Sequence, residues 1–368
     1  HVFDNGLTLL VEPIVGVQSV GLTILLPAGV ACEPADKLGS AALLSEMIFR
    51  GAGDLTARQH SDALDQLGVK RHSGVQTRYL STGATLLGER LGESLPLIVD
   101  MIRRPTLSDE AFAPSRDLAV QAIDGLEDEP QEKVSIELGK RYLPAPLGRS
   151  PLGERDHITK MTADDIRRYA GDRFVPGGAI IGIAGAIEFE DVRRRFDDLL
   201  GDWSGNADLP AVTDEPTRGY AHIKATSAQQ HIGVAYDTVP EPHDDSMLQR
   251  VAVAALSGGM SGRLFTEVRE KRGLCYAVFA RYAASKDRGA VKAYAGTTTE
   301  RAQETLDVMV GELHRLSDGI DEDEFQRAVV GLKSRLVMQG ESTGARGSAI
   351  AHDYATLGRA RTLDDIAD

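Results

Sequence analysis

Two segments concentrate the side chains that could do chemistry. The first is the helical stretch Gly39-Ser40-Ala41-Ala42-Leu43-Leu44-Ser45-Glu46-Met47-Ile48-Phe49-Arg50-Gly51, where Ser45 and Glu46 stand among apolar residues. A helix that grips a metal needs two ligands at i and i+4 on one face. This stretch has no such pair, and a lone Glu46 reads as a solvated or capping carboxylate. The second segment runs from Gly258 to Val278 and places Arg269 on a predicted helix and Tyr276 at the start of a predicted strand. A turn at Gly273 can bring both side chains toward one point, where guanidinium and phenol each donate hydrogen bonds. From the residues alone a plainer arrangement stays open, with Arg269 paired to a neighbouring Glu and Tyr276 packed in the sheet. The glycines of Gly258–Gly262 lack the Lys-Ser/Thr that follows a phosphate loop and read as a turn.

No other group of residues supplies metal chemistry. The nine His lie at 1, 60, 72, 157, 222, 231, 243, 314 and 352, so none has another within helical reach. Cys32 and Cys275 are too few and too far apart for a disulfide framework or a cysteine metal site, and read as buried small hydrophobes.

The elements that must hold these segments recur along the chain. An apolar strand Val20–Leu26 is followed by a Pro/Ala/Gly turn and the helical stretch Lys37–Arg50, while His231–Tyr236 is followed by Pro240-Glu241-Pro242 and the helical stretch Asp244–Leu256. Ser108–Phe112 and Asp321–Phe325 open similar helices at an offset of 213 residues, and Leu147-Gly148-Arg149 returns as Leu357-Gly358-Arg359 at an offset of 210. Such offsets indicate a duplicated unit. Within each unit the order reads strand, helix, helix, strand, strand, helix, helix, then a closing helix and strand. In the first unit the closing pair is Thr162–Phe174, with Thr162 as N-cap, and Ala179–Ala184. Gln76–Leu87 and Ala277–Ala295 read as long, half-polar strands. The fold expected is α+β, with two homologous domains, each an antiparallel-rich mixed sheet with helices packed on one face. Residues 1–205 form the first domain, 206–217 a Gly/Pro/Asp-interrupted linker, and 218–368 the second.

Composition narrows the functions further. Of 368 residues, 41 are basic and 55 acidic, a formal net charge of −14 that repels phosphate backbones. Nucleic acid is therefore not the expected partner, and 5% aromatic residues with no basic interleaving offer no base-stacking platform. Basic peptides suit such a balance better. No apolar run approaches the ~20 residues that span a bilayer, and His1–Gly6 has no signal-peptide character. Without a disulfide framework, a cytoplasmic location is expected.

The helix Gly39–Gly51 resembles the zinc-binding helix of the pitrilysin/insulinase family of inverted zinc metallopeptidases, including the mitochondrial processing peptidase type. The family carries HxxEH between a leading Gly and a closing M-x-F-[KR]-G, and this frame is present. The chemical letters are not: Ala42 and Glu46 stand where the two His would be, and Ser45 stands at the general base. The third ligand, a Glu on a later helix before an acidic-Pro segment, falls on Ala122, just ahead of Glu127-Asp128-Glu129-Pro130. The next strand departs too, reading His72-Ser73-Gly74-Val75-Gln76-Thr77-Arg78 where active members bear N-A-x-T-x-x-E. In contrast, Gly258–Val278 follows the family's G-G-x-S-x-R-L-F-x-E-[VL]-R-E-x-x-G-L-x-Y run closely.

The resemblance implies that Arg269 and Tyr276 support an active site whose zinc lies in a facing, homologous HxxEH-bearing subunit. The chain itself would hold no cofactor. It would form half of a clam-like chamber for extended, unfolded peptides and be inert alone. The competing expectation is a scaffold or assembly protein resembling the core subunits of respiratory complexes, with no peptidase role. The repeat also implies a unit of about 210 residues and a finished chain of roughly 415–420, so the second domain is expected to lack its closing helix and strand.

Overall fold

The structure is a computed structural model describing residues 1–367. Among the described residues, ten strands fall into two sheets and one ribbon. The first sheet contains β1 (Thr8–Pro13), β2 (Ser19–Leu26), β5 (Lys70–Val75), β6 (Leu80–Leu87) and β7 (Ile180–Gly185), in the order β1-β7-β2-β6-β5. Its β1–β7 pair is parallel and the others are antiparallel. The second contains β8 (Gln229–Thr238), β9 (Cys275–Ala284) and β10 (Gly289–Thr298), antiparallel in the order β8-β10-β9. β3 (Gly51–Ala52) and β4 (Leu55–Thr56) form the ribbon.

Helices of the first half are α1 (Ser40–Met47), α2 (Ala57–Gln66), α3 (Leu91–Arg103), α4 (Asp109–Asp124), α5 (Pro130–Tyr142), α6 (Arg155–Ile158), α7 (Ala163–Arg173) and α8 (Phe189–Leu200). Those of the second are α9 (Ser246–Ser257), α10 (Ala302–Arg315), α11 (Glu322–Gly340), α12 (Thr343–Leu357) and α13 (Leu363–Ala367). Residues 207–228, between the two sheets, form neither helix nor strand. Among the described residues no helix is long and apolar enough to cross a membrane.

Alternation along β2 sets the layers. Val20, Leu22, Ile24 and Leu26 point into the main core with Leu43, Leu44 and Met47 of α1. Leu25 joins Ile180 and Ala351 on the opposite face, under α12. In the second sheet Ile232, Val234 and Tyr236 face a core built with α9 and α10. The units exchange one helix each: α12 of the second packs across β2 and β7, and α5 of the first packs across β8. Glycine makes this approach possible. A Cβ at Gly21 would lie 2.3 Å from Gly344 N, one at Gly182 would lie 2.2 Å from Gly347 O, and one at Gly233 would lie 2.7 Å from Val134 Cγ1.

Several expectations need correction. Ala277–Ala295 is not one strand but most of the β9–β10 hairpin, because Ser285–Arg288 turns the chain, with Ser285 N–H donating to Arg288 O at 2.7 Å. Gln76–Leu87 contains a connection, residues 76–79, before β6 begins at Leu80. Strand β1 and helix α8 add to the expected order of elements, and α1 is shorter than Lys37–Arg50.

Candidate functional site

The first-unit segment is built around the start of α1. Gly39 enters the helix at φ +112°, a left-handed conformation, and a Cβ there would meet Ile158 Cγ1 at 2.5 Å. With no side chain, this N-cap cannot satisfy the first N–H groups itself. Glu33, buried six residues earlier, does so: its Oε1 accepts from Gly39 N at 3.0 Å and Ala41 N at 2.8 Å. Burial nevertheless pushes the carboxyl up to about 7, against the two backbone donors and Arg149. Sequence reading missed Glu33 because it lies outside the helix it caps.

On α1, Ala42 and Ser45 are half-buried and Glu46 is exposed. Helix α1 packs beside the edge strand β5, where Ser45 Oγ and Ser73 Oγ share a hydrogen bond of 2.7 Å. Ala122 is exposed on the last turns of α4, which packs against α1. The helical frame therefore stands, but its donor set is one exposed carboxylate, one hydroxyl and two methyl groups. Such a set does not fit zinc. Among the described residues no group of three or more His, Cys, Asp or Glu could hold a metal ion. Arg78 is engaged elsewhere, donating to Asp287 Oδ2 at 3.1 Å.

In the second unit, the chemistry-bearing segment is held from behind. Arg263, 8% exposed, forms a two-pronged pair with Glu324 at 2.7 and 2.6 Å and also donates to Gly319 O. Phe265–Glu270 winds as a π-helix, a rare wide turn that is frequent at functional sites. Glu267 is taken by Lys271 at 2.7 Å and Arg272 at 2.8 Å. Arg269 is left exposed, its guanidinium 5.0 Å from the centre of the Phe265 ring.

Gly273, at φ +61°, reverses the chain into β9. The β9–β10 register then slips: Ala277 faces Gly296, whereas Cys275 faces Thr297. Tyr276 is the extra residue of this bulge, and bulges re-aim side chains. Cys275 goes into the core at 8% exposure, where burial raises its thiol pKa, while Tyr276 stands 75% exposed. The local structure thus leaves Arg269 unpaired with Glu267 and Tyr276 outside the sheet packing. Both edge strands nearby, β5 and β9, have one side free of sheet partners.

Known proteins share this architecture. A model of the insulinase family (peptidase family M16) matches residues 13–153, and one of the peptidase M16 inactive domain matches residues 160–332. An uncharacterized zinc protease of Bacillus subtilis is 27% identical over 372 residues, covering 99% of this chain and 89% of the relative. One from Streptomyces coelicolor is 26% identical, covering 98% and 81%. A crystal structure titled peptidase M16 inactive domain from Pseudomonas fluorescens superposes with TM-score 0.87 at 20% identity, covering 100% of this chain and 89% of that one. A Helicobacter pylori protease superposes with TM-score 0.86 at 18% identity, covering 100% and 94%. With both units matched in order, the chain belongs to the insulinase family, peptidase family M16.

Proposed function

We propose that this chain is the non-catalytic, substrate-binding subunit of a heterodimeric zinc metallopeptidase. The observation that carries the reading is the contrast between the two segments. α1 and α4 offer no metal site, yet a π-turn and a bulge hold Arg269 and Tyr276 free and exposed. Facing a homologous HxxEH-bearing subunit, the guanidinium and phenol would donate to the scissile carbonyl oxygen as it gains negative charge. An unfolded peptide would add as a strand to a free sheet edge, with β5 and β9 as candidates. Zinc belongs to the partner in this reading.

The test has two parts. Purified alone, the chain should contain no stoichiometric zinc by elemental analysis; one zinc per chain would overturn the assignment. Reconstituted with the HxxEH subunit, Arg269→Ala and Tyr276→Phe should each lower kcat/KM by an amount worth about 1–4 kcal/mol of transition-state stabilisation. Full activity in both variants would reject the role and leave a scaffold.

A further inference from the structure

The second sheet has an inner face, opposite its helical core, that the reading above does not use. Its residues follow from the register. Gly233, Tyr294 and Phe279 form one tier across β8, β10 and β9, and Ala235, Lys292 and Arg281 form the next. The first tier is aromatic: Phe279 stacks on Tyr294 at 5.2 Å, and Tyr294 Oη hydrogen-bonds His231 Nδ1 at 2.7 Å. The second is cationic. Arg281 lies over Phe279 at 4.7 Å, and Lys292 is half-buried beside it.

Two like charges directly opposite each other across a strand pair are destabilising unless something neutralises them. Among the described residues neither Lys292 nor Arg281 has a carboxylate partner. The acid on this face, Asp237 of the adjoining tier, is occupied by Arg218 Nη2 at 2.9 Å and by the Tyr142 hydroxyl. Burial lowers the Lys292 pKa. Helix α5 covers this face at β8, where Val134 and Leu138 approach Gly233, and Arg281 on the edge strand β9 remains exposed.

We propose that Lys292 and Arg281 form a subsite for a carboxylate of the bound peptide, with the half-buried Phe279, backed by the buried Tyr294, as an apolar floor beside it. The subsite rests on the peptide-binding reading and adds a substrate preference to it. It lies five residues from Tyr276 along β9, about 17 Å at the rise of an extended strand. A peptide lying along β9 would therefore place its acid roughly five residues from the position beside Tyr276. This reverses locally what the net charge of −14 suggests, since an acidic protein here presents an unpaired cationic pair.

The test uses the chain alone. Fluorescence anisotropy would compare labelled extended peptides carrying one Glu with the Gln-substituted peptides, and free with amidated C-termini, so that side-chain and terminal carboxylates are distinguished. The acidic peptide of one series should bind about tenfold tighter, as a charge-assisted hydrogen bond would give. The double variant Lys292→Gln/Arg281→Gln should erase that preference and leave affinity for the neutral peptide unchanged. Equal binding of acidic and neutral peptides, or equal loss of both in the variant, would overturn the subsite while the peptide-binding reading stands. Where no peptide binds, that reading falls, and the subsite is read separately by 13C-methylating the lysines. The Lys292 resonance, assigned by its loss in Lys292→Gln, should shift on titration with N-acetylglutamate amide or N-acetylphenylalanine; no shift with either overturns the subsite.

Discussion

Arg78 donates to Asp287 across the two units at 3.1 Å, joining the turn between β5 and β6 to the corresponding turn between β9 and β10. Position 78 is where active members of the family are expected to carry an acid near their zinc. Here its side chain is directed to the other unit, beside a second cross-unit contact between Gln76 Nε2 and His352 Nε2 at 2.9 Å.

The ion pair should matter little for stability. Arg78 is 24% and Asp287 58% exposed at the side chain, so solvent screens most of the attraction. In a double-mutant cycle by urea denaturation, Arg78→Ala and Asp287→Ala should show a coupling of about 0.2–1 kcal/mol that shrinks in high salt. The exchanged pair Arg78→Asp/Asp287→Arg should recover most of it. A coupling several times larger would mean that the turns are dry in solution.

A zinc site should be restorable. α1 remains a helix packed on α4, so positions 42 and 46 still share a face and position 122 lies on the neighbouring helix. The combined variant Ala42→His, Ser45→Glu, Glu46→His and Ala122→Glu should bind one zinc, measured by elemental analysis after dialysis. Reverting Ala122→Glu alone should weaken binding. If the full variant stays metal-free, the frame has moved as well as its letters.

The two chemistry-bearing segments were legible because local residues define them. The pairing of elements was less so. Ala277–Ala295 looks like one strand because Ser285-Lys286-Asp287-Arg288 contains neither Pro nor an Asn-Gly pair, and Gly289 lies just beyond the turn. β1 pairs in parallel with β7, more than 160 residues later, where no local signal exists. The helix exchange left only glycines as a trace, and a glycine such as Gly182 announces a close approach without naming the partner. The cationic tier of the second sheet appeared only once register set Lys292 opposite Arg281.

Glu33 should make stability depend on pH in an unusual direction. Its folded pKa, about 7, lies above the ordinary value of 4.5, so between these values the folded chain binds the extra proton. Stability from this group is then fully present below about pH 4.5 and is lost as pH rises through about 7. A shift of this size corresponds to about 3 kcal/mol. Urea denaturation of the wild type and Glu33→Gln at pH 5 and pH 8 should show the variant losing less stability over that interval. Parallel behaviour would mean that the two N–H donors at the α1 N-terminus keep the carboxylate charged.

Gly182 tests whether the exchanged helix is held as closely as the backbone distances require. A methyl there would lie 2.2 Å from Gly347 O and 2.9 Å from Ala351 Cβ, so α12 must move or β7 must bend. Neither is easy: Arg346 of α12, 3% exposed, is bound to Glu12 of β1 at 2.6 Å, and Ser19 Oγ meets Thr343 Oγ1 at 3.1 Å. Gly182→Ala should therefore destabilise by about 1–3 kcal/mol, the usual cost of overpacking. Gly74→Ala is the matched control, a strand glycine with no atom within 4 Å of its missing Cβ, and should change stability by less than about 0.5 kcal/mol. Limited proteolysis should also cut Gly182→Ala between α11 and α12, since a helix lent to another unit loses its footing when that sheet rejects it. If the two alanine variants unfold alike, α12 sits farther from the sheet in solution, and the exchange contributes little to holding the units together.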